Sequence, residues 1–208
     1  MTVLRPNLHS RKGWSWSQLT ELARLESGHT PSRKHPEYWG GDLPWIGIKD
    51  ARDHHGGEVH ETLENTNPLG IANSSARMLP ARTVCLSRTA SVGYVTIMGR
   101  DMATSQDFVN WICGAALLPE FLKLLLLAQG NDIRRFASGS VHQTIYFPEV
   151  KAFHICHPPV IVQQQICDAM EAVRERAAAL IDLYQSKVEA IDALRQSLLQ
   201  KAFAGELT

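Results

Sequence analysis

The sequence predicts an α+β (mixed α/β) fold, in which a twisted-sheet domain is followed by one long C-terminal α-helix. Short strand-like runs, separated by turn residues, dominate the first 158 residues. Residues 160–203 contain neither Gly nor Pro and are rich in strong helix formers. A length of 208 residues and an apolar content of 44% suffice for one globular domain with an appendage. We therefore expect two domains, 1–158 and 159–208.

The strands expected in the first domain are short. They cover 45–48, 83–86, 94–98, 108–113 and 153–156. Because the sequence has no repeating βαβ rhythm, the sheet should be mostly antiparallel or mixed. Two helices are expected among these strands: one over 17–25 with Ser17 as its N-cap, and one over 119–128 with Pro119 in its first turn.

The expected C-terminal helix carries an apolar stripe with heptad spacing. Between residues 166 and 201 every stripe position is apolar except Lys187 and Lys201. A helix of this length is about 65 Å long at 1.5 Å per residue. One long core helix is the alternative, but a coiled-coil seam with a second helix is favoured. The residues expected in that seam are Ile166, Val173, Leu180, Tyr184, Ile191, Leu194 and Leu198.

Composition excludes several classes of protein. No apolar run is long enough to span a membrane, and residues 1–12 lack the apolar stretch of a signal peptide, so a cytoplasmic location is expected. The four scattered cysteines indicate neither a disulfide framework nor a zinc site. The 21 basic and 21 acidic residues balance, whereas a typical nucleic-acid-binding protein is far more basic. Charge alone therefore does not indicate DNA.

No convincing enzyme site emerges from the motifs. Neither a Gly-rich cofactor loop nor a phosphate-binding loop follows a strand. Asp132, Glu149 and Lys151 could form a nuclease triad of two metal-holding carboxylates and a lysine, but this short spacing is common by chance. The histidines around His54 and His55 match no closed zinc spacing. We expect no metal, no cofactor and no catalysis in this chain.

Three polar loops could read DNA: residues 28–34, 87–93 and 138–143. Arg and Lys can contact guanine edges, Gln can contact adenine edges, and small neighbours allow the backbone to approach phosphate. Ordinary turns are the alternative. Arg88 is the leading candidate because its guanidinium has no evident structural role in the sequence. The full set of expected DNA contacts is Arg33, Lys34, Lys49, Arg52, Arg88, Thr89, Ser91, Gln106, Ser140 and His142.

Ordered blocks along nearly the whole chain resemble one known family. The first reads Gly28-x-Thr30-Pro31-Ser32-Arg33, followed by 36–46; further blocks are 73–77, 86–93, 102–108, 137–140, 158–166 and 198–207. They are similar to the specificity subunits of type I restriction–modification enzymes. The resemblance implies that residues 1–158 form a target recognition domain for double-stranded DNA. It also implies that residues 159–208 form a spacer that docks methyltransferase subunits.

The same resemblance implies that catalysis lies in partner subunits. Methyltransferase subunits would bind S-adenosylmethionine, and restriction subunits would use ATP and Mg²⁺. Members of this family usually carry two recognition domains and two helices, whereas this sequence has one of each. We therefore expect a half-length form, either a natural half-length subunit or a truncated copy. Two copies should pair through antiparallel helices and read an interrupted, palindromic site. A stand-alone, repressor-like DNA-binding protein is the alternative.

Overall fold

A computed structural model describes residues 12–130, 133 and 143–206 of the protein. The strands are β1 (Ser15–Gln18), β2 (Ala23–Ser27), β3 (Trp39–Ile46), β4 (Glu58–Val59), β5 (Asn65–Thr66), β6 (Val84–Ser87), β7 (Val95–Met98), β8 (Ala103–Thr104), β9 (Phe108–Cys113) and β10 (His154–His157). The helices are α1 (Leu19–Leu22), α2 (Ile48–Asp53), α3 (Pro68–Ala72), α4 (Pro119–Gln129), α5 (Phe147–Lys151) and α6 (Val160–Phe203), with a 3₁₀ turn over Pro36–Tyr38. The predicted α+β class is confirmed.

A five-stranded sheet forms the centre of the first part of the chain. Its strand order is β2-β9-β6-β7-β4, and all neighbours are antiparallel except β4 and β7. Both β6 and β7 are buried along their whole length, which explains their mainly apolar sequences. Phe108 and Trp111 of β9 are fully buried as well. The sheet is therefore mixed, as the sequence predicted.

Two smaller sheets complete the strand pairing. In one, β3 lies between β5 and β8 and runs parallel to β8. In the other, β1 pairs with β10 in antiparallel register, with Trp16 opposite Cys156. The second pairing brings the start of the described chain beside the residues that precede α6.

The predicted helix over 17–25 is wrong. Only Leu19–Leu22 is helical, and strands lie on both sides of it. Ser17 pairs with Ile155 of β10, and Arg24 pairs with Ile112 of β9. These backbone pairings with distant strands override the local helical preference.

The predicted strand over 45–48 also ends early. β3 stops at Ile46, and α2 begins at Ile48. The buried Asp50 carboxylate accepts a hydrogen bond from the Gly47 amide at 2.8 Å and thereby stabilises the first turn of α2. Local capping therefore ends the strand at this point.

The long helix has the predicted bounds. α6 runs from Val160 to Phe203, and Gly205 beyond it has a φ of 73°. By internal contacts the chain forms two compact units, Met1–Gln164 and Gln165–Thr208, so the first residues of α6 belong to the first unit. The functional boundary after residue 158 stays a prediction. Among the described residues, no helix is both long and apolar enough to cross a membrane.

Candidate nucleic-acid interface

Two of the polar loops meet at one turn. Loop A is residues 28–34, after β2, and loop B is residues 87–93, which begin with the last residue of β6. The central turn is residues 104–107, from the last residue of β8 to the residue before β9. The Thr30 hydroxyl donates a hydrogen bond to the Gln106 side-chain oxygen. The Thr89 hydroxyl donates one to the Asp107 carboxylate. The central turn therefore connects loop A to loop B.

Loop A is pressed closely against the central turn. A Cβ atom at Gly28 would lie 1.9 Å from the carbonyl oxygen of Ser105, so only glycine fits this position. The His29 amide donates to the Thr104 carbonyl at 2.9 Å. Trp45 Nε1 donates to the His29 carbonyl at 3.1 Å. These contacts position Thr30 next to Gln106.

Arg33 already has a partner within the domain. Its guanidinium donates two hydrogen bonds to the Glu64 carboxylate, at 2.7 and 2.6 Å, and its Cζ lies 3.8 Å from the centre of the Trp39 ring. The hydrogen bond from Arg33 lowers the pKa of Glu64, and the same bond raises the pKa of Arg33. A planar guanidinium suits both contacts. A DNA phosphate would have to compete with Glu64, and the role of Arg33 in DNA binding stays a prediction.

The other three basic candidates before loop B are exposed. Arg52 Nε donates to Asp53 at 2.8 Å, and this bond raises the pKa of Arg52. Lys34 and Lys49 are exposed, and no described acidic side chain lies within ion-pair distance of either ammonium group. These two lysines are therefore available for phosphate contacts without loss of an internal ion pair.

Arg88 lies in a more constrained environment than the sequence suggested. Its Nη2 donates to the Gln106 carbonyl at 3.1 Å, and its Cζ lies 4.9 Å from the centre of the Phe147 ring. Burial lowers the pKa of Arg88, while the charge of Asp107 opposes that shift. Nε is buried and has no hydrogen-bond partner among the described residues. The premise that this guanidinium has no structural role is therefore wrong, although DNA contact stays a prediction.

Loop B is held in shape by its own hydrogen bonds. The Ser91 amide donates to the Thr89 carbonyl at 2.6 Å, and the Ser87 hydroxyl donates to the Ser91 carbonyl at 2.5 Å. Ala90, at the tip, adopts the left-handed region with a φ of 59°. The loop therefore presents Thr89 and Ser91 in a preformed conformation, which lowers the entropy cost of binding a ligand.

Asp107 is a functional candidate that the sequence reasoning missed. Its carboxylate accepts hydrogen bonds from Thr89 and from Ser105, the latter at 2.9 Å. Its carbonyl accepts the Arg88 amide at 2.7 Å. A signal was available in the sequence: Ser105 and Asp107 are two residues apart and directly precede β9. This spacing is typical of turns that side-chain hydrogen bonds stabilise. Asp107 thus connects loop B to the central turn.

An open cleft of about 520 Å³ lies beside loop A. Its walls carry neutral hydrogen-bonding groups, which suit base edges better than they neutralise phosphate. Asn73, Ser74 and Ser75, at the end of α3, were not among the expected contacts. The lining residues are His29, Thr30, Ser32, Ala72, Asn73, Ser74 and Ser75.

Several predicted site residues lie outside the described residues. They are Ser140 and His142 of the third loop, and Asp132 of the alternative nuclease triad. The other two members of that triad, Glu149 and Lys151, lie on the short helix α5. Side chains two residues apart on a helix are separated by about 200° around its axis, so Glu149 and Lys151 lie on nearly opposite faces.

The histidine cluster has structural partners. His54 Nδ1 is 2.9 Å from the Asp50 carbonyl oxygen, and His55 Nδ1 accepts the Val95 amide at 3.1 Å. Within the described part of the chain, no group of three or more His, Cys, Asp or Glu side chains could hold a metal ion. The described histidine contacts therefore stabilise the fold around α2 and β7.

The sequence is similar to proteins of one kind. A family model described as "Type I restriction modification DNA specificity domain" matches residues 11–189. The MjaIX specificity subunit of Methanocaldococcus jannaschii is 28% identical over 161 residues, which are 76% of this chain and 37% of that protein. The HindI specificity subunit of Haemophilus influenzae is 31% identical over 115 residues, 55% of this chain and 25% of that protein.

The fold is similar to two solved structures. One belongs to work on complex assembly and conformational transition of the type I R-M system, with a TM-score of 0.77, 19% identity, and coverage of 97% of this chain and 48% of that chain. The other is the HsdS subunit from Thermoanaerobacter tengcongensis, with a TM-score of 0.70, 19% identity, and coverage of 97% and 47%. The chain thus spans about half the length of these structures and 37% of the M. jannaschii protein.

Proposed function

The chain belongs to the family of type I restriction–modification DNA specificity domains, and we propose that it reads one half of a two-part site in double-stranded DNA. By this reading it directs methyltransferase and restriction subunits to that site. The observation that carries the proposal is the family match over residues 11–189, which includes all three sheets and most of α6. The chain itself supplies recognition, and its partners supply the chemistry.

The arrangement of the loops supports a reading surface. Gln106 is exposed at the central turn, between loop A and loop B, and lies beside Arg88 and Thr30. Neutral side chains with fixed donors and acceptors can distinguish base pairs in the major groove. Lys34 and Lys49 are exposed and can contact the phosphate backbone. Since the whole chain carries no net charge, partner subunits would contribute much of the phosphate neutralisation.

We infer the partner subunits from the family. Methyltransferase subunits would bind S-adenosylmethionine, and restriction subunits would bind ATP and Mg²⁺, so this chain needs no cofactor of its own. Since the assembled complex would act on DNA, we place it in the cytoplasm. Within this proposal the chain is not an enzyme.

A second copy of the chain would supply the other half-site. Apolar side chains remain exposed along α6, among them Val173, Leu180, Tyr184, Ile191 and Leu194. An apolar stripe of this length is stable in water only when another helix covers it. Antiparallel pairing of two α6 helices would present two identical recognition units, and two-fold symmetry would then require a palindromic, interrupted site.

Adenine methylation in the host genome tests the proposal. Methylated positions are mapped in a strain with the gene, in a deletion strain, and in the deletion strain complemented with the gene. We expect one interrupted motif to lose methylation on deletion and to regain it on complementation. An unchanged methylation map would contradict the proposal.

Two alternatives give different results in the same system. A stand-alone, repressor-like protein would bind one DNA sequence tightly yet purify without methyltransferase subunits. A nuclease built on Asp132, Glu149 and Lys151 would cleave DNA in the presence of Mg²⁺, and Lys151→Ala would abolish that cleavage.

A further inference from the structure

Gln163, in the first turn of α6, is a fully buried polar side chain. Its Oε1 accepts the Leu118 amide, and its Nε2 donates to the carbonyl oxygens of Ala116 and Pro158, each at 2.9 Å. Both amide N–H groups and the amide oxygen are therefore bonded, and all three partners are main-chain groups. A buried polar group bonded in this way permits only one arrangement of the segments around it. Gln163 thus fastens the start of α6 to the loop at 114–118.

That loop is directly connected to the recognition loops. It follows β9, whose other end, Phe108, comes immediately after Asp107 of the central turn. β9 lies between β2 and β6, and three of its residues, including Phe108 and Trp111, are fully buried hydrophobics. A strand of six residues is about 20 Å long and is held rigidly by neighbours on both sides. One end of β9 therefore adjoins the central turn, and its other end adjoins the loop that Gln163 contacts.

The backbone that leads into α6 is also conformationally restricted. Pro158 and Pro159 precede the helix, and proline fixes the backbone angle φ. The Pro159 carbonyl accepts the amides of Val162 at 2.9 Å and Gln163 at 3.1 Å. The backbone and the Gln163 side chain together therefore hold residues 160–163 against the loop at 114–118.

We propose that Gln163 is a positioning residue that sets the spacer length accepted between the two halves of the DNA site. This inference rests on the proposed function. One extra base pair moves a half-site by about 3.4 Å and rotates it by about a tenth of a turn. Only a stiff start of α6 would distinguish such neighbouring spacers, because a flexible one would adapt to both. The residue that fixes this start should therefore control spacer choice without touching DNA.

The test uses the full protein assembled with its methyltransferase subunits. DNA targets carry the native half-sites, identified by methylation mapping, with spacers from two base pairs shorter to two longer than the native spacer. Gln163→Met keeps a similar length and loses all three hydrogen bonds; Gln163→Asn keeps the amide but is one methylene shorter. Gln165→Met is the matched control, because Gln165 is exposed on the same helix.

We expect both Gln163 variants to methylate the native half-sites and to accept other spacers. The ratio of methylation at spacers one base pair off to methylation at the native spacer should rise about tenfold, which corresponds to the loss of one net hydrogen-bond restraint. Gln165→Met should match the wild type. Melting temperatures are measured for every variant, since a change in stability alone does not alter this ratio.

Three outcomes would overturn the inference. A lower melting temperature with the wild-type spacer profile would assign Gln163 a purely stabilising role. A change in the half-site sequence would assign it to base reading. Equal spacer changes in Gln165→Met would deny any special role of the buried amide. A wild-type complex that methylates none of the targets would instead contradict the proposed function itself.

Discussion

The Arg88 guanidinium donates a hydrogen bond from Nη2 to the main-chain carbonyl of Gln106, over 3.1 Å. This bond joins two of the residues that are expected to contact DNA. It also directs one edge of the guanidinium into the protein. Nε is buried and has no described partner, so a contact with DNA would have to be made by the remaining guanidinium nitrogens.

Arg88→Ala should weaken binding to the specific DNA site by about 1–3 kcal/mol if the guanidinium reads a base. Preference at one base pair would then relax. If Arg88 contacts phosphate, binding should weaken equally for all sequences, and the slope of log affinity against log salt should fall by about one. Titrations of the full complex with single-base-pair variants, at several salt concentrations, separate the two cases.

The conservative Arg88→Lys variant is the control for charge. It keeps the positive charge but loses the planar donors, so base reading should be lost while most phosphate attraction remains. Unchanged affinity and unchanged base preference in Arg88→Ala would remove this residue from the interface.

Gly28→Ala should destabilise the domain by at least about 1–3 kcal/mol. The added Cβ would lie 1.9 Å from the Ser105 carbonyl oxygen, so loop A must move away from the central turn. Gly57→Ala is the matched control, because its Cβ would have the His54 carbonyl oxygen, at 3.5 Å, as its nearest neighbour. Urea unfolding of the three proteins measures the difference. Equal stabilities for the two variants would show that loop A is not packed as described.

Glu64→Gln should lower stability by about 0.2–1 kcal/mol at neutral pH, because both partners of the Arg33–Glu64 pair are about half exposed. The hydrogen bond from Arg33 lowers the pKa of Glu64 in the folded state. The ion pair therefore contributes fully to stability above about pH 4.3, the pKa of a glutamate in the unfolded chain. This contribution is lost as the pH falls through the lower pKa of Glu64 in the folded state.

Unfolding of wild type and Glu64→Gln is compared at neutral pH and in acid, with and without high salt. The difference in stability should shrink in acid, and salt should reduce it at neutral pH. A difference that stays constant with pH would indicate a steric effect of the substitution rather than loss of the ion pair.

Prediction from sequence succeeded where a pattern was long or strongly apolar. α6 has the predicted bounds because its 44 residues contain neither Gly nor Pro, a composition that favours one uninterrupted helix. β9 has the predicted bounds because turn residues lie on both sides of its mainly apolar run. The helix predicted between Ser15 and Ser27 was wrong because the conformation of this region depends on pairing with β10 and β9, which are far away in the sequence. Local propensity carries no information about such partners.

The candidate site was predicted in part for the same reason. Loop A, loop B and Gln106 were recognised by residue type, and the structure brings them together at the central turn. The partners of these residues were not predictable. Glu64 lies 31 residues after Arg33, and Phe147 lies 59 residues after Arg88, so both contacts exist only through the fold. Asp107 was missed because its role is to hold Thr89 rather than to reach outward.

Leu180→Asp should prevent pairing of two chains through α6. In the single chain the Leu180 side chain is 52% exposed, so the substitution should leave the fold of each chain intact. In a paired helix the same position would be covered, and an aspartate there would lose about 1.5–3 kcal/mol of apolar burial and place a charge in the seam. The dimer should therefore weaken by at least about tenfold to a hundredfold.

Ala178→Asp is the matched control for this substitution. Ala178 is two residues away, about 200° around the helix from Leu180, so its side chain leaves on the opposite face. Both variants replace an apolar residue by aspartate in an exposed part of α6, and their helix propensities differ little from each other. Light scattering of the full chain, alone and with methyltransferase subunits, measures assembly. A wild-type chain that stays monomeric in the assembled complex, or two variants that associate equally, would contradict pairing through the Leu180 face.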